Sequence, residues 1–203
     1  MIGSASNVKV LVLGNDPQIN TIDFDRLKPE VITLGVNRIW LKHIPDYLFF
    51  NDIQILTEIE RHPEIMAQLQ SNTKCFSSDW IRHKLKRTIP QWIEIHRRTN
   101  AISFPDSVST AINIFSSNFL TDKRVTYYLA GVSLKWTNPS HFWKEMEYES
   151  LNKHGQDWYT TRFVKMSENF RKIKARGIRV ISVNPNSNLN KMFRYESIDN
   201  LYK

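Results

Sequence analysis

Val8-Lys9-Val10-Leu11-Val12-Leu13-Gly14-Asn15-Asp16-Pro17 is the stretch on which the fold turns. A short Val/Leu run closed by a glycine turn reads as a buried parallel strand, because both of its faces are apolar. In an open α/β sheet, ligands bind beyond the carboxyl ends of the strands, which puts Gly14-Asn15 on the working edge. Glycine there lets backbone approach a ligand closely, and asparagine offers both a donor and an acceptor. An ordinary first strand with an ordinary turn looks the same locally, so the choice between the two readings rests on the remainder of the chain.

Two further apolar runs follow and end the same way. Val31-Ile32-Thr33-Leu34-Gly35-Val36 runs into Asn37, and Tyr47-Leu48-Phe49-Phe50 runs into Asn51. Three successive strand ends carrying asparagine describe a polar floor along one edge. The segment between the first two strands, Thr21 to Leu27, is too short for a full crossover helix. Ile55 to Leu69 has helical spacing with a break at Pro63. Thr73 to Phe76 reads as a strand, Ser77-Ser78-Asp79 as an N-cap for a helix over Trp80 to Arg87, and Gln91 to His96 as another strand. Asp106-Ser107 caps a helix from about Val108 to Phe119, with Ala111, Ile112, Phe115 and Phe119 on its inner face. Arg124 to Ala130 is a strand closed by Gly131. Trp158 to Arg176 is a basic amphipathic helix stopped by Gly177, and Ile178 to Val183 is the last strand, ending in Asn184-Pro185-Asn186-Ser187. Residues 133–157 form a long polar and aromatic loop, the length of a lid or binding segment. The expectation is one α/β Rossmann-like domain over 1–203, with a mostly parallel sheet, helices on both faces and a lid loop.

Bulk properties narrow the function. Among 203 residues, Lys and Arg outnumber Asp and Glu by 28 to 20, a net charge of +8, which favours a polyanionic partner such as nucleic acid. No apolar run approaches the roughly 20 residues of a membrane helix, and no signal-like segment precedes the first strand. The single cysteine, Cys75, allows no internal disulfide. A cytoplasmic protein without a membrane partner is the expectation.

Four segments in order, LGNDPQINTIDFDRL, GVNRIW, SVSTAINIF before YYLAGVSL, and VISVNPNS, resemble the bacterial lipooligosaccharide sialyltransferases and the related hydroxymethylpterin diphosphokinase-like proteins. The resemblance spans most of the chain. It implies a Rossmann-like fold, a nucleotide-sugar donor and transfer that needs no metal. It further implies that Gly14, Asn15, Asn37 and Asn51 hold the donor, that Ser107 and Ser109 at a helix start lie near its phosphate or sugar, and that Gly131, Asn184 and Ser187 border the nucleotide. The sequence departs from that pattern at Asp16, where a small residue is usual and a carboxylate would repel a diphosphate, at Gln18 and at Ser133. Residues from Trp136 onward (WTNPSHFW) look more like small bacteriophage glycosyltransferases of the hydroxymethylcytosine arabinosyltransferase type.

Sugar transfer to a hydroxyl needs a base for the acceptor proton and groups that stabilise the leaving phosphate. The resemblance implies a lid histidine as base: His154, with His141 as phosphate contact or alternative base. Asp23-Phe24-Asp25 has the form of a DxD metal motif, but its place just after the first strand reads as a helix cap or turn. Arg82, Lys84, Lys86, Arg87, Arg97 and Arg98 form one basic segment, and Lys165 to Arg176 another. With Trp136, Phe142, Trp143 and Trp158 interleaved, phosphate-backbone contact and stacking on a flipped base are the sharp reading. A solvated helix face and lid packing are the plain one. The expected activity is transfer of a sugar, arabinose among the candidates, to the hydroxymethyl group of a base in double-stranded phage DNA. The alternatives are a sialyltransferase-like enzyme with a glycan acceptor and a non-catalytic nucleic-acid-binding protein on the same scaffold.

Overall fold

A computed structural model of the chain describes residues 7–85, 88–97, 106–121, 123–135, 142 and 156–203. The strands are β1 (Val8–Leu13), β2 (Val31–Val36), β3 (Tyr47–Phe49), β4 (Lys74–Ser78), β5 (Ile93–His96), β6 (Val125–Ala130), β7 (Arg179–Ser182) and β8 (Arg194–Tyr195). They form one eight-stranded sheet in the order β5-β4-β3-β2-β1-β6-β7-β8. Every pairing within it is parallel. The chain moves outward from β1 to β5, then returns to lay β6 on the other flank of β1. That reversal makes the β1/β6 junction the topological switch point, where the carboxyl ends of two strands splay apart.

Alternation along the strands builds two cores. Val10, Val12, Leu34, Val36, Phe49, Phe76, Tyr127 and Leu129 face one side, where α4 (Ser107–Asn118) and α5 (Gln156–Ala175) cover them through Ala111, Ile112, Phe115, Phe170 and Ile173. Leu11, Leu13, Leu48, Phe50, Cys75 and Tyr128 face the other. There α1 (Ile53–Glu60), α2 (Pro63–Asn72) and α3 (Trp80–Lys84) pack with Ile19 and Leu201. Helices thus cover both faces, as a buried parallel sheet requires. Phe115 meets Tyr47 edge-on at 4.7 Å and stacks on Phe119 at 5.2 Å, which fixes α4 across β3 and sets where its first turn lies. Among the described residues, no helix is long and apolar enough to cross a membrane.

Several local expectations change. Ser77 and Ser78 belong to β4, the Asp79 side chain makes no capping bond, and of the three it is the Ser78 hydroxyl that accepts the Trp80 amide at the helix start, at 3.3 Å. The helix after them ends at Lys84, not Arg87, which lies outside the described residues. Asp23 stands before a 3-10 turn (Phe24–Arg26) without a side-chain cap; its amide donates to the Tyr202 hydroxyl at 3.1 Å instead. Sequence reading missed β8 and the 3-10 turns Asn188–Lys191 and Ile198–Leu201, pieces too short to carry a hydrophobic period.

Candidate functional site

At the switch point the chain closes tightly. The Gly14 amide donates to the Ala130 carbonyl at 2.8 Å and the Asp16 amide to the Gly131 carbonyl at 2.9 Å. A Cβ on Gly14 would fall on the Gly131 carbonyl oxygen and lie 2.7 Å from Val132 Cγ2. Gly131 takes a φ of +65°, a conformation that costs glycine least. Gly14 is therefore demanded by backbone contact between the two turns, and Gly131 by its positive φ and by the Ile19 side chain, whose Cγ1 an added Cβ would meet at 2.6 Å.

Asp16 is explained by the same turn. Its Oδ1 accepts the Gln18 amide at 3.0 Å, capping the 3-10 helix Pro17–Thr21. The carboxylate serves the chain's own backbone. Gln18 then spans two strand ends: its Oε1 accepts the Gly131 amide at 2.8 Å, and its Nε2 donates to the Val183 carbonyl at 2.8 Å.

The asparagines stand on one edge, at the carboxyl ends of β1, β2 and β3, with distinct bonding. Asn15 Oδ1 is buried and has no hydrogen-bond partner. Asn37 adopts a φ of +54°, and its side chain pairs with the Ser107 hydroxyl at 3.1 Å, tying the end of β2 to the start of α4. Asn51 Oδ1 accepts from the Ser78 hydroxyl at 2.7 Å, the Ser78 amide at 3.1 Å and the Ser77 hydroxyl at 3.2 Å. This clamp fixes the amide plane and leaves Asn51 Nδ2 buried without an acceptor. Two side-chain polar atoms, one acceptor and one donor, are thus unpaired on a single strand-end floor. Buried polar groups in that state are uncommon, and each calls for an explanation, a partner supplied by a ligand among them.

The start of α4 departs from expectation. Asp106 Oδ1 accepts the Ser109 amide at 2.8 Å, Oδ2 accepts from the Ser109 hydroxyl, and Asn169 Nδ2 of α5 donates to Oδ2 at 2.6 Å. Ser109 is fully buried. A protein carboxyl already occupies the amide that the resemblance offered to a ligand phosphate, so of the two serines only Ser107 borders the strand-end floor. Burial raises the Asp106 pKa, against the opposing hydrogen bonds from Ser109 and Asn169. Beyond β7, Ser187 donates to the Val132 carbonyl at 2.7 Å and caps the turn Asn188–Lys191, and Asn184 Oδ1 accepts the Asn186 amide at 3.0 Å. Ser187 thereby holds the segment that leaves β6, while the Asn184 side chain braces its own turn beyond β7. Ser133, at the departure from the family pattern, is buried and contributes its carbonyl to the Asn188 amide at 2.8 Å.

Comparison with known proteins bears on this arrangement. No family profile matches the chain, and no curated protein matches it in sequence. Solved structures do match. The monofunctional alpha-2,3-sialyltransferase Cst-I from Campylobacter jejuni superposes with a TM-score of 0.60 at 14% identity, over 100% of this chain and 85% of its own. The sialyltransferase CstII from the same organism, in complex with the substrate analogue CMP-3FNeuAc, superposes with a TM-score of 0.56 at 13% identity, over 92% and 85%. The fold is shared with these sialyltransferases. The match supports the sialyltransferase-like part of the sequence resemblance and lends nothing to its phage DNA-modifying part.

The lid stands apart. His141 and His154, like Trp136, Trp143, Lys86, Arg87 and Arg98, lie outside the described residues. Phe142 is described: it is buried among Ile19 and its neighbours, its amide donates to the Asn15 carbonyl at 3.0 Å, and its own carbonyl accepts from Asn20 at 3.3 Å. Phe142 is therefore packed and hydrogen-bonded against the first turn. Arg82 and Lys84 are exposed on α3, where Lys84 lies over the Trp80 ring, and Arg97 is exposed beyond β5. They sit on the carboxyl edge but toward its β4–β5 end, roughly 15 Å from β1 at the usual strand spacing. Among the described residues, no group of three His, Cys, Asp or Glu side chains is placed to hold a metal ion. Cys75 is buried, and its thiol is pushed up to about 12 by burial, which makes it inert as a nucleophile.

Proposed function

We propose that this protein is a glycosyltransferase that binds a nucleotide-sugar along the carboxyl edge of β1, β2 and β3 and transfers its sugar to a hydroxyl of a glycan. The observation that carries the reading is the pair of unpaired buried atoms, Asn15 Oδ1 and Asn51 Nδ2, at the switch-point edge of a fold shared with sialyltransferases. The edge of a nucleobase and the hydroxyls of a ribose offer the complementary donors and acceptors, and the Asn37–Ser107 link fixes the wall between the two asparagines. In the transfer, the acceptor oxygen bonds to the anomeric carbon as the bond from that carbon to the phosphate oxygen breaks. The acceptor proton passes to a base, and a lid histidine, His154 or His141, is assigned that role. The leaving phosphate departs as the free nucleotide. The reading includes no metal in the step, so turnover should survive EDTA.

A hydroxymethylated DNA base is the second acceptor reading, and its support is the net charge of +8 together with the exposed Arg82, Lys84 and Arg97. One experiment separates the two. The protein is incubated with a panel of nucleotide-sugars and either an oligosaccharide or hydroxymethylcytosine DNA, and products are read by mass. Transfer to the oligosaccharide, lost in Asn51→Ala at a temperature where that variant is still folded, supports the proposal; transfer to DNA alone moves the acceptor, and no transfer to either removes the enzyme reading. Full turnover in both His154→Ala and His141→Ala would show the lid-base assignment to be wrong.

A further inference from the structure

The opposite end of the sheet carries a feature that donor binding does not use. There the amino ends of β6 and β7 meet the carboxyl ends of α4 and α5 around a cavity of ≈ 360 Å³. Lys123, Arg124, Arg176 and Arg179 line it, with Ser116 and Tyr127. All four cations are exposed, and none forms an ion pair with a carboxylate among the described residues. Arg176 donates to the Asn113 side chain, a neutral partner. The acid in this turn by sequence, Asp122, lies outside the described residues.

Helix C-termini attract cations, and this accounts for part of the cluster. Two helix ends supply about half a negative charge each, so four cations still leave an excess of about +3, or +2 after counting Asp122. Tyr127 closes the cavity from below: it is 1% exposed, its ring meets Phe115 of α4 edge-on, and burial raises its pKa against the nearby Ser116 hydroxyl, so it stays neutral beneath the cations. The cavity volume falls at the small-molecule end of protein pockets, too small for a folded partner. Guanidinium groups match phosphate oxygens with paired donors, which distinguishes this rim from a cluster of lysines.

We propose that this cavity is a second ligand site for a small phosphorylated molecule, its phosphate held by Arg124, Arg176 and Arg179. The six-residue length of β1 separates it from the donor edge by roughly 20 Å. It stands whether or not the donor edge binds a nucleotide-sugar.

Inorganic pyrophosphate is the probe, titrated calorimetrically against the full chain at fixed ionic strength, with sodium chloride as the control. The expected result is saturable binding to the wild type, weakened at least tenfold in the double variant Arg124→Ala/Arg179→Ala, whose exposed side chains leave the core intact. Asn51→Ala should leave binding unchanged. Absence of saturable binding to the wild type overturns the proposal. So does binding that survives the double arginine variant, and so does binding lost in Asn51→Ala, which would place the anion at the donor edge.

Discussion

Gln18 and Gly131 meet side chain to backbone across 113 residues of sequence: the Gly131 amide donates to Gln18 Oε1 at 2.8 Å. The same side chain donates to the Val183 carbonyl at 2.8 Å, so one amide group spaces the carboxyl ends of β6 and β7 beside the first turn. Gln18→Ala leaves a buried backbone N–H without its acceptor, a loss of about 1–3 kcal/mol. Urea unfolding should show a lower midpoint at unchanged slope. Gln18→Glu should do no better, because it restores the acceptor for Gly131 but sets a carboxylate oxygen against the Val183 carbonyl.

Gly14→Ala should destabilise the protein by about 1–3 kcal/mol. The added methyl meets the Gly131 carbonyl and Val132 Cγ2, and the first of these is backbone held in place by the Asp16 amide. Thermal denaturation checks the stability term. A variant that melts like the wild type would show that the two turns part more easily than their hydrogen bonds imply.

Asp106 joins α4 to α5, and its two replacements separate capping from charge. Asp106→Ala removes an N-cap, about 0.5–2 kcal/mol, and takes from Asn169 Nδ2 the nearer of two acceptors, leaving the Ser109 hydroxyl at 3.2 Å. Asp106→Asn keeps a side-chain oxygen for the Ser109 amide and should cost much less. The wild-type carboxyl has a pKa raised above its ordinary value of 3.8. A raised folded-state pKa means that its contribution to stability is full below the ordinary value and is lost as pH rises through the folded one. Asp106→Asn should therefore gain on the wild type as pH rises. Unfolding free energies across the acid range measure that difference.

The strand framework was legible because parallel strands buried on both faces read as apolar runs, and because the runs of β1, β2, β3, β6 and β7 are closed by glycine or asparagine. Even the break at Pro63 falls between α1 and α2. The roles within the edge were not legible. Asp16 looked like a charge in the wrong place, but its partner, the Gln18 amide, is two residues away and its function is local capping. The Asp-x-x-Ser spacing from Asp106 to Ser109 is itself a capping signal; what it could not reveal is Asn169, 63 residues on, which turns a cap into a closed polar cluster. Gln18 likewise reads as an unremarkable turn residue until the fold brings Gly131 and Val183 to it. Strand identity is written in local periodicity, whereas the partner of a polar side chain depends on topology.

The Asn37–Ser107 link can be tested apart from backbone strain. With φ at +54°, Asn37→Val places a β-branched side chain in the left-handed region and should cost about 1–3 kcal/mol. Asn37→Gly relieves that strain and should hold stability close to the wild type, yet it releases the Ser107 hydroxyl. Under the donor-site reading, Asn37→Gly weakens nucleotide binding, measured by calorimetry, while its urea midpoint stays near the wild-type value. Equal nucleotide affinity in Asn37→Gly and the wild type would show that the link serves the fold alone.

The last expectation concerns acid pH. His43 stacks on Phe24 with ring centroids 4.2 Å apart and planes within 6° of parallel. Burial lowers its pKa below 6.5, a shift that the carboxylates of Asp46 and Asp25 only partly oppose. A depressed pKa in the folded state means that the neutral ring favours the fold: the contribution is full above the ordinary value and is lost as pH falls through the folded one. Stability attributable to His43 should therefore hold at neutral pH and decline below about 6.5. His43→Phe keeps an aromatic surface against Phe24 and removes the titration, so its stability profile should be flatter between pH 7 and 5. Urea midpoints measured across that window decide it, and a variant with the wild-type slope would assign the acid loss to other groups.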